Sequence, residues 1–195
     1  MTRIGIFIFD GAEELDFVGP WEVLTMWAQQ FPEDAVTVSL VARHDGVVTC
    51  AKGMRVLPDL TWADRQAFDV VLVPGGRGTR PLLGDVELRA WLETHRAAGS
   101  LLTSVCTGSL VLADAGFLDG RAATTHWASL DLLATLGTEI EVRSEDRYVD
   151  TGDVVTASGV SAGIDLALHL VRRLASDDTA RTVRRAIQYD PSPPV

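Results

Sequence analysis

The sequence predicts an α/β fold with a mainly parallel sheet covered by helices on both faces. Three observations predict it: short apolar runs rich in Val, Ile and Phe recur, amphipathic segments separate them, and polar or glycine-rich corners follow them. Such alternation requires crossover connections, which make neighbouring strands parallel and bury both faces of the sheet.

The first strand is "RIGIFIF" (3–9), and the helical spacing over 20–30 that follows is introduced by Pro20. Proline suits a first helical position, where its missing N–H has no partner to lose. The acidic pair at 33–34 leads into the strand "VTVSLVAR" (36–43), and "HDGVVTCAKGMRV" has the turn residues of a small hairpin. "DVVLVPGG" (69–76) and "LLTSVC" (101–106) read as the next strands, with helices over 85–98 and 107–115. After a turn at 119–120 come a helix over 127–136 and the strand "DVVTAS" (153–158). The last helix, 160–175, carries apolar residues at Ile164, Ala167, Leu168 and Val171, one face of a 3.6-residue period. Residues 1–188 are expected to form one domain and "YDPSPPV" (189–195) an extended tail.

A chain of 195 residues with 47% hydrophobic content buries one substantial core. Its net charge of -10 argues against nucleic acid and anionic membranes, because phosphate binding needs a basic stripe. The arginines at 172, 173, 181, 184 and 185 read as a solvated face. The opening segment is too short for a signal-peptide core, and no run approaches the ~20 apolar residues of a membrane helix. With two cysteines and no export signal, reduced thiols in the cytoplasm are expected.

Ligands of open α/β sheets sit beyond the carboxyl ends of the strands, so the three corners there come first. Cys106 lies where a strand turns into a helix, between the small residues Ser104 and Gly108. A nucleophile elbow needs such residues, and a helix N-terminus favours a thiolate. Burial as a structural thiol is the alternative, and it is the expectation for Cys50. "PGGRG" lacks the dinucleotide spacing, since the sixth place from Gly76 is Pro81. It is either a plain turn or a loop whose Gly75 and Gly76 N–H groups bind developing negative charge.

Glu13, Glu14 and Asp16 serve as surface acids or helix caps, except that Asp16 stands between Leu15 and Phe17. Apolar surroundings raise a carboxyl pKa and allow it to donate a proton near neutrality. His126 is either a base for Cys106 or a hydrogen-bonded residue of the pocket rim. The remaining histidines form no metal-ligand spacing with the cysteines, and neither a metal nor an organic cofactor is expected.

Together "LDFVGPWEVL", "VVLVPGG", "TSVCTGSLVLADAGFLDGRAATTHW" and "SAGIDLAL" resemble the ThiJ/PfpI superfamily, and within it the isocyanide hydratase branch. The resemblance spans nearly the whole chain and is most specific at the cysteine block. It implies a flavodoxin-like sandwich, a homodimer, Cys106 as nucleophile, Asp16 as its acid partner, and Gly75, Gly76 and Thr107 as the backbone environment. It also implies a pocket wall of His126, Trp127, Ser158, Gly159 and Val160, altered in size by the local sequence "ASGV". Asp at 16 and Thr at 107 resemble the hydratase branch rather than protease-like or deglycase-like ones. The implied reaction is cofactor-free hydration of a small-molecule isocyanide. The rivals are glyoxalase-like carbonyl chemistry by the same pair, and a redox-responsive protein whose Cys106 is oxidised.

Overall fold

The structure, a computed structural model, describes residues 1–190. The strands are β1 (Thr2–Phe7), β2 (Val36–Ala42), β3 (Val48–Thr49), β4 (Arg55–Val56), β5 (Leu60–Thr61), β6 (Val70–Val73), β7 (Leu101–Val105), β8 (Ala122–Ala123), β9 (Glu141–Val142), β10 (Tyr148–Asp150) and β11 (Val154–Ala157). The α-helices are α1 (Glu14–Gln30), α2 (Val86–Ala97), α3 (Gly108–Asp114), α4 (Leu130–Leu136), α5 (Ala162–Leu174) and α6 (Asp177–Ala186).

One seven-stranded sheet runs in the order β10-β11-β7-β6-β1-β2-β5, and only β10 pairs antiparallel. Its five principal parallel strands, taken in chain order, lie as 2-1-3-4-5, the flavodoxin-like arrangement. Chain direction across the sheet reverses between β1 and β6, which opens a crevice at their carboxyl ends.

Alternation along each strand feeds two cores. Ile4, Ile6 and Ile8 pack on one face with Phe17, Leu24 and Trp27 of α1, Leu166 and Leu170 of α5, and Val183 of α6. Phe7, Val71 and Val73 pack on the other face with Leu88 and Leu92 of α2, Leu110 of α3 and Leu133 of α4. Both faces are therefore covered, as the apolar character of the strands requires.

Three features depart from the sequence expectation. Helix α1 begins at Glu14 and carries Pro20 inside it rather than at its start. Tertiary packing overrides the local preference: a Cβ on Gly163 of α5 would lie 3.2 Å from the Pro20 ring, and one on Gly19 would lie 3.0 Å from Ile164. The two helices meet where these side chains are small or ring-closed. Helix α6 was not anticipated, although Ser176 accepts the Thr179 N–H (3.0 Å) as an N-cap and acidic residues fill the first turn. The short strands β5, β8, β9 and β10 were also missed, whereas the hairpin is present as β3 paired antiparallel with β4.

Of the predicted tail, Tyr189 does not run free: its N–H bonds the Arg184 carbonyl (3.1 Å) and its hydroxyl donates to Asp165 (3.0 Å). The remainder, 191–195, lies outside the described residues. Among the described residues, no helix is long and apolar enough to cross a membrane.

Candidate active site

Four corners meet at the crevice: the chain after β1, the loop after β6, the elbow after β7 and the turn after β11. Cys106 directly follows β7 with φ 56, a left-handed conformation that costs a non-glycine residue of order 1–3 kcal/mol. The surroundings hold it there. Its N–H bonds the Ala157 and Ser158 carbonyls (3.1 and 3.0 Å), and its carbonyl accepts from Thr125 Oγ1 (2.9 Å) and Ser109 Oγ (3.1 Å). Gly108 has to be glycine, because a Cβ there would stand 2.1 Å from the Val73 carbonyl oxygen.

Asp16 sits in the first turn of α1 with no exposed surface. Its Oδ2 accepts the Gly75 N–H (2.8 Å), Oδ1 is buried without a hydrogen-bond partner among the described residues, and the Cys106 thiol is close enough to act on the carboxyl. Burial lifts the Asp16 carboxyl from 3.8 to about 7, against the opposing pull of the Gly75 and Cys106 hydrogen bonds. The apolar flanks of Asp16 foretold this direction.

Cys106 differs from the expectation of a helix-lowered thiol. Burial first, and then the nearby Asp16 carboxylate, push the Cys106 thiol up to about 11. Backbone N–H groups of Thr107 and Val160 favour the thiolate but do not overcome burial, and the seven-residue α3 offers only a short dipole. Near neutrality the sulfur therefore keeps its proton while the adjacent Asp16 carboxyl is in its own titration range. Cys50 is buried in the core near the β3–β4 turn, as a structural thiol should be.

Gly75 and Gly76 also require a correction. Their N–H groups do not face an incoming ligand: Gly75 donates to Asp16, and Gly76 donates to Thr107 Oγ1 (3.0 Å). The loop is a cradle for the site's own side chains. A Cβ on Gly75 would stand 2.5 Å from Thr107 N and 2.8 Å from Asp16 Oδ2, and Gly76 has φ 114 with Gly11 O where its Cβ would point. The Thr107 hydroxyl also lies 3.2 Å from that of the buried Thr79, a residue sequence reasoning passed over.

The pocket in front of Cys106 has a volume of about 370 Å³, and its wall includes Glu13, Arg77, Arg80, Thr107, His126, Ser129 and Val160. Of the expected wall, His126 and Val160 line it; Trp127 does not and is 77% exposed. Ser158 serves through its carbonyl, and Gly159 lies beneath the His126 ring, whose Cδ2 would stand 2.5 Å from a Cβ there. His126 Nδ1 accepts the Ala128 N–H (3.2 Å), so the histidine caps a turn, and the groups that couple to the sulfur are Asp16, Thr107 and Val160. Val160 holds φ 47, unusual for a β-branched residue. Arg77 and Arg80 were missed because their positions follow from the 3₁₀ turn Arg77–Leu82, which the sequence shows only as a glycine-rich corner. Among the described residues, no group of three or more His, Cys, Asp or Glu side chains is placed to hold a metal ion.

The DJ-1/PfpI family model matches residues 2–173. The chain belongs to the DJ-1/PfpI family. It is 41% identical over 192 residues to the isonitrile hydratase of Pseudomonas putida, a match covering 98% of this chain and 80% of that protein. It is 32% identical over 168 residues to the HTH-type transcriptional regulator CdhR of Pseudomonas aeruginosa, covering 84% of this chain and 48% of the regulator. Among solved structures, a ThiJ/PfpI family protein from Pseudomonas syringae superposes with TM-score 0.89 at 31% identity, covering all of this chain (100%) and 77% of the other. Family membership places the crevice at the elbow in a fold that other members share; it does not by itself choose a substrate.

Proposed function

We propose that this chain hydrates isocyanides to N-substituted formamides, with Cys106 as the nucleophile and Asp16 as the carrier of the proton. The observation that carries the proposal is the buried Asp16 carboxyl, lifted to about 7, beside the buried Cys106 thiol, set in a chain 41% identical to an isonitrile hydratase. An isocyanide carbon must gain both a nucleophile and a proton. A thiol beside a carboxyl whose pKa is about 7 supplies both from one place.

The steps balance without any further reagent except water. Asp16 carboxylate takes the thiol proton as the sulfur bonds to the terminal carbon of R–N≡C, and the same proton then passes to that carbon. The product is a thioimidate, R–N=CH–S, on Cys106, with Asp16 ionised again. Asp16 next accepts a proton from water as the oxygen attacks the same carbon and passes that proton to the nitrogen, giving R–NH–CH(OH)–S with Asp16 ionised again. Collapse of the adduct breaks the C–S bond, returns a proton to the sulfur and releases R–NH–CHO. The N–H groups of Thr107 and Val160 stabilise the sulfur while it carries charge.

Incubation with a neutral isocyanide and detection of the formamide by mass spectrometry tests the proposal, with Cys106→Ala as the blank. Formamide from the wild type alone supports it. Lactate from methylglyoxal with no formamide from any isocyanide replaces it with the glyoxalase-like reading.

A further inference from the structure

We propose that the Cys106 pocket selects substrates bearing a carboxylate, which Arg80 and Arg77 hold at the pocket rim. This rests on the hydration reading for the reacting group but concerns the other end of the substrate.

Among the described residues, the two guanidiniums in this pocket have no acidic partner. The chain has 27 acidic residues against 17 lysines and arginines, so a carboxylate partner for an arginine is easily found. Several arginines have one: Arg43 pairs with Asp85, Arg121 with Asp153, Arg147 with Asp165, and Arg173 with Asp150, while others without an ion pair among the described residues, such as Arg3, Arg55 and Arg65, lie away from this pocket. Arg80 instead bonds only neutral oxygens, Thr79 Oγ1 at 2.9 Å and Ser129 Oγ at 3.2 Å, and Arg77 bonds the Ala51 carbonyl at 2.8 Å. Among the described residues, neither makes an ion pair. The one surface carboxylate in the same wall, Glu13, is engaged by Lys52.

Both arginines line the pocket that contains Cys106. Arg80 is also fixed there, since Thr79 ties it through Thr107 to the elbow. A planar guanidinium held by neutral oxygens keeps donors free for a bidentate carboxylate. Beside a buried sulfur, in an acidic protein, two uncompensated cations give an anionic ligand a preference of about tenfold, the scale of ~1.4 kcal/mol.

The test uses probes that differ only in charge. Iodoacetate and iodoacetamide both alkylate a thiol with loss of iodide and the thiol proton, and labelling of Cys106 is followed by peptide mass spectrometry. The expected iodoacetate-to-iodoacetamide rate ratio at Cys106 is about tenfold above that of free cysteine, falls toward the free value in Arg80→Gln and Arg77→Gln, and is retained in Arg80→Lys. A wild-type ratio equal to the free thiol's, or a ratio unchanged in both glutamine variants, overturns the proposal.

A second arm compares isocyanoacetate with its neutral methyl ester. Arg80→Gln is expected to lower kcat/KM for the carboxylate about tenfold more than for the ester, mainly through KM. No turnover of either compound, with the alkylation bias intact, refutes hydration and leaves the carboxylate site supported. Equal turnover of both, with no alkylation bias, refutes the carboxylate site and leaves hydration supported.

Discussion

Replacing Asp16 by Asn separates the cost of burying a carboxylate from the chemistry it performs. In the folded chain the group titrates near 7, against an ordinary value of 3.8. Below 3.8 it is protonated whether the chain is folded or not. Between the two values the unfolded chain releases a proton that the folded chain keeps, so stability falls as pH rises and levels off above about 7. A difference of that size corresponds to ~4 kcal/mol. Asn cannot titrate, and its amide oxygen can still accept the Gly75 N–H. The variant is therefore expected to match the wild type near pH 4 and to exceed its stability by up to ~4 kcal/mol at pH 8. Groups common to both chains cancel in the difference. Urea unfolding of both proteins across this range measures it, while turnover in the variant falls by ~10²–10⁴. A variant less stable than wild type at pH 8, or one with the same pH slope, refutes the assignment of a buried, proton-holding carboxyl.

Alkylation of Cys106 by iodoacetamide is expected to accelerate through pH 7, as Asp16 becomes able to take the thiol proton, and again toward 11. In Asp16→Asn only the upper rise should survive; a wild-type profile with no step near 7 contradicts the coupling. Gly75→Ala forces a methyl to 2.5 Å from Thr107 N, and is expected to cost ~1–3 kcal/mol in urea unfolding and about 10²-fold in turnover. Unchanged activity in that variant shows that the cradle does not position the pair. Sedimentation at micromolar concentration is expected to find a homodimer with an interface of ~1,200 Å² or more, and a monomer removes that expectation.

Much of the scaffold was legible because the apolar period of its long elements is strong. Strands around Ile6, Val71, Leu102 and Val155 are buried on both faces and announce themselves as continuous apolar runs. The corner at Cys106 was legible for a steric reason, since only small residues tolerate a turn where a Cβ at 108 would strike Val73. Asp16 was legible through its apolar neighbours. By contrast β8 and β9, of two residues each, carry no period at all. The start of α1 depended on Pro20 meeting Gly163, a contact about 140 residues away in the chain that no local rule contains. The direction of the Gly75 and Gly76 N–H groups is a backbone property, invisible in residue identity, and so is the turn that brings Arg80 to the rim. The thiol was misjudged because a helix N-terminus can be read from sequence, whereas the depth of burial opposing it cannot.

The most direct test of the account is the mass of the protein during turnover. Rapid quenching with a neutral isocyanide, followed by intact-mass and peptide analysis, looks for the covalent intermediate itself. The account predicts a transient gain equal to the mass of the isocyanide, located on Cys106, that decays with the appearance of one formamide per adduct. It also predicts neither adduct nor formamide in Cys106→Ala. Formamide produced at the wild-type rate by Cys106→Ala, or an adduct confined to Cys50, contradicts it.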